Sequence, residues 1–130
     1  DASVVYCPQT HEYFGHPSHP WPQMLADGLN VALGTDSRAS SQTLSLWEDI
    51  LVVRRRYPEQ PAELIWKLAT VNSARALGLS GCLGELRPGS IARMAVARWR
   101  DSPNRWSWER LLTAETQLTG YDARSLRPDP

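Results

Sequence analysis

The clearest sign of the fold is a short apolar run with a polar loop behind it, Asn30-Val31-Ala32-Leu33-Gly34-Thr35-Asp36. Its apolar residues follow one another without polar residues between them, which is typical of a strand buried on both faces of a parallel sheet. We therefore predict a strand over residues 30–34. The loop that follows, residues 35–41, is small and polar, so Asp36 is expected just beyond the carboxyl end of that strand.

The segments around this run alternate between strand and helix patterns. A second apolar run predicts a buried strand over residues 3–7, whereas residues 9–21 show no hydrophobic period and predict a loop. Apolar residues at helical spacing and helix-stop signals predict helices over residues 22–27, 45–56, 62–69 and 71–77. This alternation is typical of a parallel α/β sheet or barrel, and we expect the two strands to be parallel neighbours.

The pattern changes near Ser80. Glycine and proline now punctuate short strand-like runs, which predicts strands over residues 82–86, 91–99 and 116–121 and a short helix over residues 108–112. We expect the first two of these strands to form a β-layer separate from the parallel sheet. The chain accordingly divides into residues 1–79 and residues 80–130.

Composition narrows the classes of function. The 130 residues carry 14 Lys+Arg and 14 Asp+Glu, and this balanced charge argues against nucleic acid as a partner. No apolar run approaches the roughly 20 residues that span a bilayer, so no membrane partner is expected. The two cysteines form no C-x-x-C motif and no signal peptide precedes the first strand, which together predict a cytoplasmic setting. Because that strand begins almost at once, we expect a piece of a larger protein; a homo-oligomer is left open.

Asp36 is the sharpest candidate for chemistry. Catalytic groups of (β/α) barrels collect at the carboxyl ends of the strands, where a carboxylate can ligate a divalent metal or act as a general base. The competing interpretation is a turn or helix-capping aspartate, which is common in loops of this composition. The residues alone leave both interpretations open.

Three histidines, His11, His16 and His19, stand in the predicted loop with the spacing H-x₄-H-x₂-H. Such a group can form a metal site by itself, but this loop contains two prolines and has no second strand to fix the ligands. The loop follows a strand on the same side as Asp36. We therefore predict that the histidines line a substrate site, and assign none of them to a metal.

Several motifs, in their order and spacing, resemble the C-terminal part of metal-dependent amidohydrolases of the cytosine deaminase, chlorohydrolase and S-adenosylhomocysteine deaminase-like branch. They are Val4-Val5-Tyr6-Cys7-Pro8, Met24-Leu25-Ala26-Asp27-Gly28, Val31-Ala32-Leu33-Gly34-Thr35-Asp36-Ser37-Arg38-Ala39-Ser40, Ala69-Thr70-Val71-Asn72-Ser73-Ala74-Arg75-Ala76-Leu77-Gly78-Leu79 and Gly84-Glu85-Leu86-Arg87-Pro88-Gly89-Ser90. One departure lies behind the first motif, where the family often has a Ser-Asn pair and this chain has Gln9-Thr10-His11.

The resemblance implies an α/β fold: the C-terminal portion of a (β/α)8 TIM barrel, with its last two strands and helices, plus part of a small β-sandwich domain. It makes Asp36 the metal-binding and catalytic aspartate after the eighth strand. The family's other ligands, an H-x-H pair and two later histidines, lie on strands that this sequence does not contain, and a barrel needs about 250 residues. We therefore expect the metal, Zn or Fe, in the full-length enzyme, and leave open whether this fragment alone binds one.

The implied function is a hydrolase that acts on carbon–nitrogen bonds other than peptide bonds through a metal-activated water. A deaminase of a small nucleoside-like or aminopyrimidine-like substrate fits this branch. The chain alone is expected to be inactive. The alternative from another class is a non-catalytic truncated segment or an interaction module without bound metal.

Overall fold

The fold is built on two parallel strands, seen here in a computed structural model that describes residues 2–98, 106–113 and 116–122. Strand β1, Ser3–Tyr6, pairs in parallel with β2, Asn30–Leu33, and Val4 lies opposite Val31. The prediction that these strands are parallel neighbours is confirmed. All four residues of β2 are buried, as predicted, but in β1 only Tyr6 is buried, so the expectation of a buried first strand is wrong.

Two short helices connect β1 to β2. Helix α1, Pro8–Tyr13, occupies most of the first half of the predicted loop, so the prediction of a loop throughout residues 9–21 is wrong. Its residues show no apolar stripe because only Pro8 is buried, and Pro8 supplies the fixed φ of a first helical turn. Gly15, with φ 64°, follows its end. Helix α2, Trp21–Ala26, agrees with its predicted position to within one residue.

Three helices after β2 match the sequence pattern closely. They are α3, Leu46–Arg56; α4, Ala62–Ala69; and α5, Val71–Ala76. Helix α3 begins where the Ser45 hydroxyl accepts from the backbone N–H of Glu48 at 3.5 Å. Thr70, with φ −118° and ψ −88°, breaks the helical path between α4 and α5.

The hydrophobic core lies between the parallel strands and these helices. Its fully buried members include Val31 on β2, Val53 on α3 and Ile65 on α4, and Trp21 closes it from α2. Burial of such side chains is worth about 1.5–3 kcal/mol each, which makes this cluster the main stabilising feature of the described residues.

A second, antiparallel pair lies apart from the parallel sheet. Strand β3, Arg93–Arg98, pairs with β4, Gln117–Asp122, and helix α6, Trp108–Leu111, lies between them in the chain. The prediction of a separate β-layer is confirmed for β3, although Trp99, the last residue of that predicted strand, lies outside the described residues.

Residues 82–86 do not form the predicted strand. They lie in turns with one isolated bridge between Ser80 and Leu83. The backbone N–H groups of Cys82 and Leu83 both donate to the carbonyl of Leu79, and Gly84 takes a left-handed φ of 92°. This left-handed glycine bends the segment away from an extended strand.

None of the helices in the described ranges combines the length and apolar composition required to cross a bilayer. The division of the chain at residues 79 and 80 stays a prediction, since Leu111 and Leu112 join the same buried cluster as the parallel strands.

Candidate functional site

The carboxyl ends of β1 and β2 bring together the segments that carry the predicted site residues. The N–H of Gly34 donates to the carbonyl of Tyr6 at 3.0 Å, extending the ladder beyond the strands. A Cβ at Gly34 would stand only 2.7 Å from Cγ1 of Val5, so glycine permits the close approach of the two strands here. The chain then leaves β1 through α1 and leaves β2 through the loop that holds Asp36.

Asp36 lies exposed in this loop, and one of its oxygens is fixed. Its Oδ2 accepts from the Ser40 hydroxyl at 3.1 Å, and its Oδ1 accepts no hydrogen bond from any described residue. The turn itself is held by Ser37, whose carbonyl accepts from the N–H groups of Ser40 and Ser41 and whose hydroxyl accepts from that of Ala39.

The nearest helix start, that of α3, is capped by Ser45 and not by Asp36. Ser37 therefore closes the turn and Ser45 caps the helix. These are the two roles that would explain Asp36 without a catalytic function. Asp36 offers a charged, accessible oxygen of the kind that divalent cations bind. Asp36 is suited to supply one ligand to a metal ion. Its assignment as metal ligand and catalytic residue stays a prediction.

Ser40 connects Asp36 to the other strand end. Its hydroxyl lies 3.0 Å from the hydroxyl of Thr10 on α1, and only 7% of its surface is exposed. This contact joins residues 30 positions apart, and it places α1 directly beside the Asp36 loop.

The structure brings the three histidines together. The ring of His11 lies 5.1 Å from that of His16 and 5.5 Å from that of His19, and the His19 ring stacks on Tyr6 at 4.3 Å. Nε2 of His11 donates to the carbonyl of Pro17 within the same loop. Burial, and then the neighbouring His11, lower the pKa of His19, whose Nδ1 is buried without a hydrogen-bond partner among the described residues.

Within the described ranges, no group of three or more His, Cys, Asp or Glu side chains is arranged to hold a metal ion. The histidine cluster is held by ring contacts and by its own backbone. Any metal bound through Asp36 would therefore need further ligands from outside the described residues.

Asp49 on α3 is a candidate that the sequence pattern did not reveal. It is fully buried, and its two oxygens accept from the backbone N–H of Gln9 at 2.9 Å and from the Gln9 side chain at 3.1 Å. Burial raises the pKa of Asp49 against the opposing effect of these two bonds. In the sequence, an acidic residue in the first turn of a helix suggests only a favourable helix dipole.

Cys7 lies half-buried between these groups. Burial raises the pKa of its thiol, and the charges of Asp49 and Asp36 raise it further. The neutral thiol is therefore favoured, which suits a small apolar role better than that of a nucleophile.

A cavity of about 560 Å³ lies elsewhere. Trp47, Trp66, Met94 and Trp108 are among its mainly apolar lining residues, and neither Asp36 nor the histidines contribute to it. The chemistry-bearing residues and this apolar cavity thus lie at different places in the molecule.

Comparison with known proteins gives one family and a consistent set of relatives. The model of the amidohydrolase family matches residues 1–106. The chain is 37% identical to a 5-methylthioadenosine/S-adenosylhomocysteine deaminase from Pyrococcus furiosus, an alignment covering 95% of this chain and 30% of that protein. It is 35% identical to the protein of the same name from Syntrophobacter fumaroxidans, covering 75% of this chain and 24% of the relative.

Among solved structures, an adenosine deaminase from Xanthomonas campestris with bound zinc superimposes with a TM-score of 0.80 at 23% sequence identity. The alignment covers 93% of this chain and 30% of that one. This likeness shows a fold of the TIM-barrel type. The chain spans only 24–30% of the length of these relatives.

Proposed function

The chain belongs to the amidohydrolase family, and we propose that it is a segment of a metal-dependent hydrolase that acts on carbon–nitrogen bonds other than peptide bonds. Within this class we propose deamination of a small adenosine-like nucleoside. The names of the relatives from Pyrococcus furiosus and Syntrophobacter fumaroxidans support this substrate class. The full-length protein would act in the cytoplasm.

We propose that the segment is the C-terminal portion of the barrel, with β1 and β2 as the seventh and eighth strands. The parallel pairing of β1 with β2 and the loop carboxylate after β2 support this placement. The antiparallel pair β3–β4, which is separate from the parallel sheet, supports part of a small β-sandwich domain after residue 79. The relatives' greater length leaves room for the other strands of a barrel.

The observation that carries the proposal is the position of Asp36. An exposed carboxylate follows a fully buried parallel strand, with one oxygen fixed by Ser40 and the other open. A divalent metal, zinc or iron, would supply a water of lowered pKa when bound. Asp36 would contribute one ligand oxygen, accept the proton of the attacking water and return it to the departing nitrogen.

The histidine cluster would line the substrate side of the same sheet edge. His11 and His19 stay close to Tyr6, the last residue of β1, while His16 is exposed. Imidazole rings can stack on or donate to a purine-like base, so this cluster suits substrate binding better than metal binding.

The test is the Asp36→Asn variant of the full-length protein, assayed with 5′-methylthioadenosine and zinc. Loss of acid–base help should lower turnover by about 10²–10⁴-fold while the melting temperature changes little, because the side chain is exposed. Asp27→Asn, an exposed aspartate at the end of α2, is the matched control and should keep its activity. Near-normal turnover of Asp36→Asn would reject the assignment, and so would a loss of activity explained by unfolding.

A further inference from the structure

We propose that Ser40 and Thr10 are positioning residues for Asp36. Their hydroxyls form a hydrogen-bond chain that fixes Oδ2 of Asp36 and leaves Oδ1 for the reaction. We call this chain, Thr10–Ser40–Asp36, the hydroxyl relay. It rests on the proposed role of Asp36.

The direction of the relay follows from counting protons. An ionised carboxylate has no proton to donate, so the Ser40 hydroxyl must donate to Asp36 across the 3.1 Å contact. That hydroxyl has a single proton, so the Thr10 hydroxyl must be the donor in the 3.0 Å contact between them. The Thr10 hydroxyl therefore donates to Ser40, and the Ser40 hydroxyl donates to Asp36. Each hydroxyl has one defined orientation.

Burial makes the relay stiff at its centre. Ser40 is almost fully buried, and a buried hydroxyl without a partner carries a desolvation cost. A hydrogen bond to a charged carboxylate is also stronger than one between neutral groups. The exposed Asp36 side chain would otherwise rotate freely, and catalytic groups work best when held within a fraction of an ångström.

The far end of the relay is anchored in the core. Thr10 lies in the first turn of α1, next to Gln9, which donates twice to the fully buried Asp49. Helix α1 has no capping side chain of its own, so the carboxylate from α3 satisfies a backbone N–H at its start. The relay thus joins the Asp36 loop to a rigid part of the molecule.

Turn geometry alone does not require the relay. Ser37 already closes the turn through backbone and side-chain bonds, and Thr10 belongs to the connection after the other strand. The only described side chain that accepts the Ser40 proton is that of Asp36. This arrangement is expected of a residue that orients the carboxylate.

The experiment uses the full-length protein with 5′-methylthioadenosine as substrate. Ser40→Ala should lower kcat about 10-fold, the loss expected for one hydrogen bond to a charged group, with KM changed less than about twofold. Ser40→Thr keeps the hydroxyl and should recover to within about threefold of the parent, and Ser37→Ala, in the same turn but outside the relay, should lose less than about twofold.

Thr10→Val keeps the shape of threonine and removes its hydroxyl, and it keeps the test decisive if Ser40→Ala fails to fold. It should lower kcat about threefold alone and add nothing in the Ser40→Ala background, since Thr10 acts through Ser40. Fully additive losses, or equal losses in Ser37→Ala and Ser40→Ala, would overturn the relay.

A second readout is independent of turnover. Competition with a chelator should show zinc bound about three- to tenfold more weakly by Ser40→Ala than by the parent, at unchanged melting temperature. Unchanged zinc affinity and kcat in Ser40→Ala, beside an inactive Asp36→Asn, would overturn the relay and leave the proposed function standing. A parent protein that neither binds zinc nor deaminates the substrate would overturn both.

Discussion

The two sheets of this molecule differ in how far their strands are buried. In the parallel pair, every residue of β2 is buried under α3, α4 and α5, whereas in the antiparallel pair no residue of β3 is buried. The parallel pair also ends in the residues proposed for chemistry, and the antiparallel pair borders the apolar cavity. Burial and candidate chemistry thus concentrate at β2 and the loop after it, whereas β3 contributes mainly surface.

Burial of β2 explains how the polar site can be positioned accurately. A loop carboxylate is exposed and mobile by nature, but the strand before it and the helix beside it are fixed by a packed core. Large apolar side chains stay open to solvent at both sheets: Leu86 and Ile91 near the second are 81% and 50% exposed, and Val5 on β1 is 56% exposed. Such surfaces are typical of segments that pack on other parts of a longer protein.

The greatest loss of stability is expected from a substitution in the core of the parallel region. Ile65 on α4 is fully buried, so Ile65→Ala should lower the free energy of unfolding by about 2–5 kcal/mol. Met94 on β3 is only partly buried, and Met94→Ala should cost about 1 kcal/mol or less. Denaturant titration of the purified variants measures both, and equal losses would remove the contrast between the two sheets.

The next loss of stability is expected at Gly84, whose turn packs closely against Thr70 and α5. A Cβ at Gly84 would stand 2.9 Å from the carbonyl oxygen of Thr70 and 3.0 Å from the Cβ of Ala74, and its φ is 92°. Gly84→Ala should therefore cost about 2–4 kcal/mol, from backbone strain and overpacking together.

Gly28 provides the matched control for Gly84. Its φ of 84° carries similar strain, but a Cβ there would meet nothing within 4 Å. Gly28→Ala should cost only about 1 kcal/mol. Equal costs for the two variants in thermal unfolding would mean that the Gly84 turn does not pack on Thr70 and α5.

The sequence predicted the elements whose apolar residues have a clear period. Strand β2 and helices α3, α4 and α5 were located to within a few residues, because burial on a fixed face leaves a visible pattern. Helix α1 was missed because its stabilising contact, from Asp49, comes from 40 residues away. The turn at residues 82–86 was missed because a left-handed glycine changes direction without changing the apolar pattern.

The same limit applies to the candidate site. Asp36 could be singled out because it follows a buried strand and stands in a motif. The histidines could be grouped because they are close in sequence, and the structure does bring their rings together. Thr10 and Ser40 could not be connected from the sequence, since a hydrogen bond between two loops depends on how the strands pair.

A smaller effect, on how the free energy of unfolding varies with pH, is expected from Asp49, the buried carboxylate that binds the start of α1. Because burial raises the pKa of Asp49, folded Asp49 holds its proton more tightly than the unfolded chain does. Its contribution to stability is fully present below its ordinary pKa of 3.8 and is lost as pH rises through the raised value. Asp49→Asn cannot ionise, so its unfolding free energy relative to the parent should rise over that range.

The control for Asp49→Asn is Glu59→Gln, which removes an exposed carboxylate after α3. Its unfolding free energy should stay within about 0.5 kcal/mol of that of the parent, as expected for a surface substitution. Unfolding free energies measured from pH 3.5 upward check both variants. Parallel pH curves for Asp49→Asn and the parent would show that Asp49 is not desolvated in the folded protein.

The smallest effect is a change in the pKa of His19, which lies in the histidine cluster at the end of the parallel pair. Burial is the larger cause of the lowered pKa of His19, and the neighbouring His11 is the smaller one. NMR titration should therefore place the pKa of His19 below its ordinary value of 6.5, and His11→Gln should raise it only part of the way back.

His16→Gln is the matched control, because the His16 ring contacts His11 rather than His19, so the substitution should leave the pKa of His19 nearly unchanged. The stability that neutral His19 contributes is fully present above pH 6.5 and is lost as pH falls through the lowered value. If His19 titrates at or above 6.5, or if His16→Gln moves it as far as His11→Gln does, the loop does not pack on β1 as described.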